Sequence, residues 1–101
     1  MNPAQLQKMM KQAQKLQNEM QNAQTELGAK EYTITTGGDA ITLVMTGNKK
    51  VVSINIKDEV IDPEDKDMLE DMIKSAMNTL IDQIDNDAQT TMSQYTQGLP
   101  F

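Results

Sequence analysis

The chain has 101 residues, 38% apolar and only 3% aromatic, and a formal net charge of −6. That length predicts a single domain over 1–101, and the scarcity of aromatic bulk predicts a thin core that a second subunit helps to complete. The absence of cysteine excludes disulfides and thiolate metal sites, and the absence of histidine removes the commonest general base and metal ligand.

The first predicted element is a long helical arm over 1–28. Leu6, Met9, Ala13, Leu16, Met20, Ala23 and Leu27 recur at alternating steps of three and four, which is a heptad seam. Asn2 is placed to cap the helix, Pro3 suits its first turn, and Gly28 reads as its C-terminal stop. A helix over 3–27 would be roughly 37 Å long, more than the width of a small domain, so it is expected to project. The positions flanking the seam are Met10, Gln17 and Gln24 on one side and Gln12, Glu19 and Glu26 on the other. These are not complementary charges, so the seam is as open to a helix of the same fold as to a chosen partner. Leu6, Met9, Ala13, Leu16 and Met20 are its candidate packing residues.

Three short alternating runs follow over 31–57. Tyr32 and Ile34 are separated by Thr33; Ile41, Leu43 and Met45 alternate with Thr42 and Val44; Val52, Ile54 and Ile56 alternate with Ser53 and Asn55. Gly37-Gly38-Asp39 and Gly47-Asn48-Lys49-Lys50 supply turns between them. Period-two alternation between such turns predicts a three-stranded antiparallel meander with one apolar face. So small a sheet needs a cover, and its edges are available for pairing.

A second helix is expected over 62–96, with Asp62 as its cap and Pro63 in its first turn. Its apolar face is broad from Met68 to Ile84 and narrows to Ala88, Met92 and Tyr95, so the far half is either an arm or a frayed end. Residues 97–101, with Gly98 and Pro100, read as a tail. No apolar run approaches the roughly 18 residues of a membrane span, and no secretory signal is visible, while the absence of cysteine fits a cytoplasmic setting.

The charge is unevenly distributed. Residues 1–28 carry three lysines against two glutamates, residues 29–57 four lysines against two acids, and residues 58–101 two lysines against eleven acids. The cluster Glu64, Asp65, Asp67, Glu70 and Asp71 lies at a helix start, where acids complement the dipole, and it lacks the pattern of a calcium loop. No phosphate-binding glycine motif and no nucleophile–base pair is present, so neither an enzyme nor a small-molecule substrate is expected, and no cofactor is called for. What remains is binding. Lys8, Lys11 and Lys15 share the face opposite the seam, a candidate patch for DNA phosphates, with Lys49 and Lys50 as possible additions. The chain has no arginine, which disfavours base readout.

The order of a long helix, a meander and an acid-capped helix resembles the YbaB/EbfC family of bacterial nucleoid-associated proteins. The resemblance covers nearly the whole chain. It is carried by D-P-E-D-K-D-M-L-E-D-M-I-K-S-A-M-N over 62–78, by L-Q-K-M-M-K-Q-A-Q-K-L-Q over 6–17 and by the closing G-L-P-F over 98–101. It implies an α+β fold of order α-β-β-β-α, a tweezer-like homodimer, DNA binding in the cytoplasm and a role in nucleoid organisation or gene regulation. It implies no catalytic activity. The rival is an acidic dimeric protein-interaction module or chaperone that uses the exposed seam.

Overall fold

The computed structural model describes residues 2–96; Met1 and the tail 97–101, including the G-L-P-F close, lie outside the described residues. The chain folds as helix α1 (Pro3–Ala29), strands β1 (Glu31–Thr36), β2 (Ile41–Thr46) and β3 (Val51–Ile56), and helix α2 (Lys66–Thr96). The strands form one antiparallel sheet in the order β1-β2-β3. The α-β-β-β-α order read from the sequence is the one observed.

Helix α1 starts as its sequence dictates. Asn2 Oδ1 accepts the Gln5 backbone N–H at 2.8 Å, satisfying one of the free donors of the first turn. The helix does not stop at Gly28. It runs on to Ala29, and Lys30 leaves it in extended backbone while donating its N–H to the Glu26 carbonyl. At Gly28 the Asn48 side chain comes close: a Cβ there would sit 2.7 Å from Asn48 Oδ1, so that side chain would have to move aside. The β2–β3 turn closes over the helix end. Gly47 N–H donates to the Lys30 carbonyl at 2.9 Å and Asn48 N–H to the Gly28 carbonyl at 3.2 Å. Those bonds satisfy carbonyls that a helix terminus would otherwise leave free.

In the sheet, Leu43 lies opposite Ile34 on one side and Ile54 on the other, and Met45 opposite Tyr32. Ile41, Leu43 and Met45 are all 2% exposed or less. The expected alternation of β3 is broken by a bulge. Val44 pairs with Ser53 but Met45 pairs with Val51, so Val52 is the extra residue.

Helix α2 begins later than expected. Pro63–Asp65 forms a single 3-10 turn, whose cap is Asp62: its Oδ1 accepts the Glu64 N–H at 3.0 Å. A second 3-10 turn, Asp58–Val60, precedes it. From Lys66 the helix crosses the sheet and buries Ala76, Leu80 and Ile84 against Leu43 and Met45, with Tyr32, Ile34 and Ile81 packed around them. Past Ile84 it continues as an arm to Thr96, and Thr91 and Tyr95 share a narrow cleft with Ala23 and Leu27 of α1. The molecule is accordingly long and thin, 76 × 21 × 16 Å.

Among the described residues, apolar surface remains uncovered on β3, on α1 and on α2, where Met68 and Met77 are exposed. On β3, Val51, Val52 and Ile54 are about half exposed, at 49%, 51% and 47%. On α1 the seam divides. Leu16 and Met20 are half-buried and Ala23 is buried, whereas Leu6, Met9 and Ala13 are exposed.

Candidate nucleic-acid interface

The exposed half of α1 carries Lys8, Lys11 and Lys15. One seven-residue step separates Lys8 from Lys15, about 10 Å along the axis, with Lys11 between them. All three are exposed, and among the described residues none is in an ion pair. Because the inner seam packs inward, the face opposite it points to solvent, and these ammonium groups stand on that face.

The other two lysines chosen from sequence lie elsewhere. Asn48 meets the end of α1, so Lys49 and Lys50 belong to the base of the arm, roughly 25 Å along the helix from Lys11. Lys49 Nζ is 2.8 Å from Asp85 Oδ1 of α2, so much of its charge is locally answered. Lys50 is exposed and its backbone N–H donates to Thr46 Oγ1 at 3.3 Å. The fold therefore assembles one patch of three cations and does not bring Lys49 and Lys50 into it.

A cluster at the same base has no counterpart in the sequence reading. The Tyr32 hydroxyl donates to Asp87 Oδ2, and Lys30 Nζ lies 2.9 Å from the same oxygen. The Lys30 ammonium also sits 5.0 Å from the Tyr32 ring centroid. Burial, followed by the Asp87 hydrogen bond and charge, pushes the Tyr32 phenol up to about 12. The hydrogen bond from Tyr32, and then that from Lys30, holds the Asp87 carboxyl below its usual range. The cluster fastens α2 to β1 next to the point where α1 ends. It joins groups 55 and 57 residues apart, which no local spacing reveals.

The acidic residues Glu64, Asp65, Asp67, Glu70 and Asp71 are all exposed around the start of α2. Among the described residues, no group of three or more acids is gathered as a metal ion would require. No described helix is long and apolar enough to cross a membrane.

Comparison with known proteins places this geometry. The chain is 47% identical over 91 residues to a nucleoid-associated protein of Clostridium kluyveri, covering 90% of this chain and 80% of that protein. It is 43% identical over 96 residues to a nucleoid-associated protein of Streptococcus pyogenes serotype M1, covering 95% and 97%. Its fold matches the crystal structure of an uncharacterized protein from Helicobacter pylori with a TM-score of 0.70 at 18% identity, over 93% of this chain and 96% of that one. The model of the YbaB/EbfC DNA-binding family matches residues 1–99, and the chain belongs to that family.

Proposed function

We propose that the protein is a non-enzymatic, nucleoid-associated homodimer of the cytoplasm that binds duplex DNA mainly through backbone phosphates, with α1 as the contacting arm. Lys8, Lys11 and Lys15 make the principal contacts, and Lys50 is better placed than Lys49 to add to them because Lys49 is paired with Asp85. The observation that carries this reading is the unpaired lysine patch on a projecting helix in a chain whose other end is strongly acidic. The acidic start of α2 repels a polyanion and so favours approach from the α1 face. Family membership and the names of the relatives support a role in nucleoid organisation or gene regulation.

The dimer is supported by the bare edge of the sheet. Ile54 is the cross-strand neighbour of buried Leu43 yet is 47% exposed. On α2, Ile73, Met77 and Ile81 line an open depression of about 380 Å³. A second copy covering β3 and this stripe would finish the core and leave two arms, as in a pair of tweezers. Ile54→Lys should then give a monomer in sedimentation analysis; a dimer of unchanged strength would remove β3 from the interface.

A gel-shift titration on duplex DNA at low salt tests the function. With about four phosphates neutralised, affinity should fall with salt at a log–log slope of roughly −3.6. Replacing Lys8, Lys11 and Lys15 by alanine should flatten the slope by about one for each lysine that meets a phosphate. Folded protein giving no shift at micromolar dimer would sink the proposal. The exposed Leu6 and Met9 favour a second reading, a protein-interaction module or chaperone, in which a nucleic-acid-free partner is captured independently of salt.

A further inference from the structure

The face that bears the lysines is also notable for its uncharged residues. The chain has fifteen acidic residues, and α1 contains only two of them, Glu19 and Glu26. Both stand in the column beside the seam that also holds Gln5 and Gln12. The outward columns hold Gln7, Gln14 and Gln21 in one, Lys11 and Asn18 in the next, and Lys8 and Lys15 in the third. Every one of these residues is exposed. An ordinary solvated helix face gains support from glutamate–lysine pairs four residues apart. Here the outward columns hold no carboxylate from Gln7 to Gln21, and Glu19, four residues beyond Lys15, stands at the rim towards the seam. Each glutamine offers two N–H donors and one carbonyl acceptor, able to meet phosphate oxygens or base edges without displacing counterions.

We propose that Gln7 and Gln14, which line one open depression with Lys11, are DNA contacts in their own right and supply a salt-insensitive part of the affinity. The proposal rests on the DNA-binding reading above and divides its labour. Lysines set the salt dependence, and amides add directional hydrogen bonds that persist as salt rises. In a chain without arginine, these amides are also the groups on this face best suited to adenine, whose N6 and N7 a glutamine can engage together.

The test is a fluorescence-anisotropy titration of a labelled mixed-sequence duplex over a range of salt concentrations. It compares the wild-type protein with Gln7→Ala/Gln14→Ala, Gln5→Ala/Gln12→Ala and Lys8→Ala/Lys11→Ala/Lys15→Ala. Alanine favours helix, so the variants should keep the wild-type circular dichroism. The expected result is about tenfold weaker binding for Gln7→Ala/Gln14→Ala, the loss of two net hydrogen bonds, with an unchanged salt slope. Gln5→Ala/Gln12→Ala, the same chemistry beside the seam, should bind as wild type, and the lysine variant should lose slope. The proposal is overturned if Gln7→Ala/Gln14→Ala binds within about twofold of wild type while wild type binds with a steep slope, an outcome that leaves the DNA-binding reading standing. It is equally overturned if both glutamine pairs weaken binding alike. Absence of binding by the wild-type protein overturns both readings together.

Discussion

The two long helices differ little in length, 27 residues in α1 and 31 in α2, but they are built for opposite ends. Helix α2 buries Ala76, Leu80 and Ile84 in the centre of the core. Helix α1 buries only Ala23 and Gly28, both near its C-terminus. Stability is thus concentrated where α2 crosses the sheet, and the first half of α1 is left nearly free of packing constraints. A surface with little structural duty can be given over to lysines and amides at small cost to folding.

The sharpest way to break this contrast is in the core. Leu80→Ala removes a side chain with 0% exposure and should cost about 3 kcal/mol, read from urea denaturation. A loss below about 1 kcal/mol would mean that α2 is not the keystone. The join between the regions comes next. A Cβ on Gly47 would clash with the Leu27 carbonyl, so Gly47→Ala should destabilise by about 2 kcal/mol. Amide exchange should rise first at the end of α1, around Gly28 to Lys30.

Tyr32→Phe should have a smaller effect, about 1 kcal/mol, because it removes one hydrogen bond to a partly exposed carboxylate. It also has a signature in pH. The fold holds the Tyr32 phenol neutral above its ordinary value of 10.0, up to about 12. Its contribution is therefore complete below pH 10.0 and is lost as pH climbs towards about 12. The Asp87 carboxyl is shifted the other way, so its contribution is complete above the ordinary carboxylate range and fades as pH falls through the lowered folded value. Melting temperature followed against pH should show the alkaline loss in wild type and a weaker one in Tyr32→Phe. The smallest effect belongs to the tip: Leu6→Gln/Met9→Gln should change stability by less than about 0.5 kcal/mol, since both side chains are already half in water. A large loss there would mean that the outer seam is packed after all.

Local chemistry made much of this legible. Leu43 and Met45 alternate with Thr42 and Val44 because one face of β2 meets α2, and that period shows in the chain. Asn2 and Asp62 cap within three residues of themselves, so their roles are written in adjacent letters. The lysine patch was equally visible, because helical spacing alone puts Lys8, Lys11 and Lys15 on one face. What stayed hidden depends on distant partners. Gly28 looks like a helix stop until Asn48 is found against it. Lys49 resembles any exposed cation until Asp85 is found beside it. The bulge at Val52 arises from register against β2, and Val51 and Val52 look alike in sequence. The heptad seam shows which residues are apolar, and only the tertiary fold decides that Leu16 is partly covered and Leu6 is not.

The seat of Gly47 and Asn48 on the C-terminus of α1 has a mechanical consequence. The half of α1 that projects, from Pro3 to about Lys15, is a lever of roughly 20 Å beyond the packed half. A tilt of about 10° at its base carries the tip through about 3 Å. A small resettling at the base is thereby carried to the lysine-bearing end of the helix.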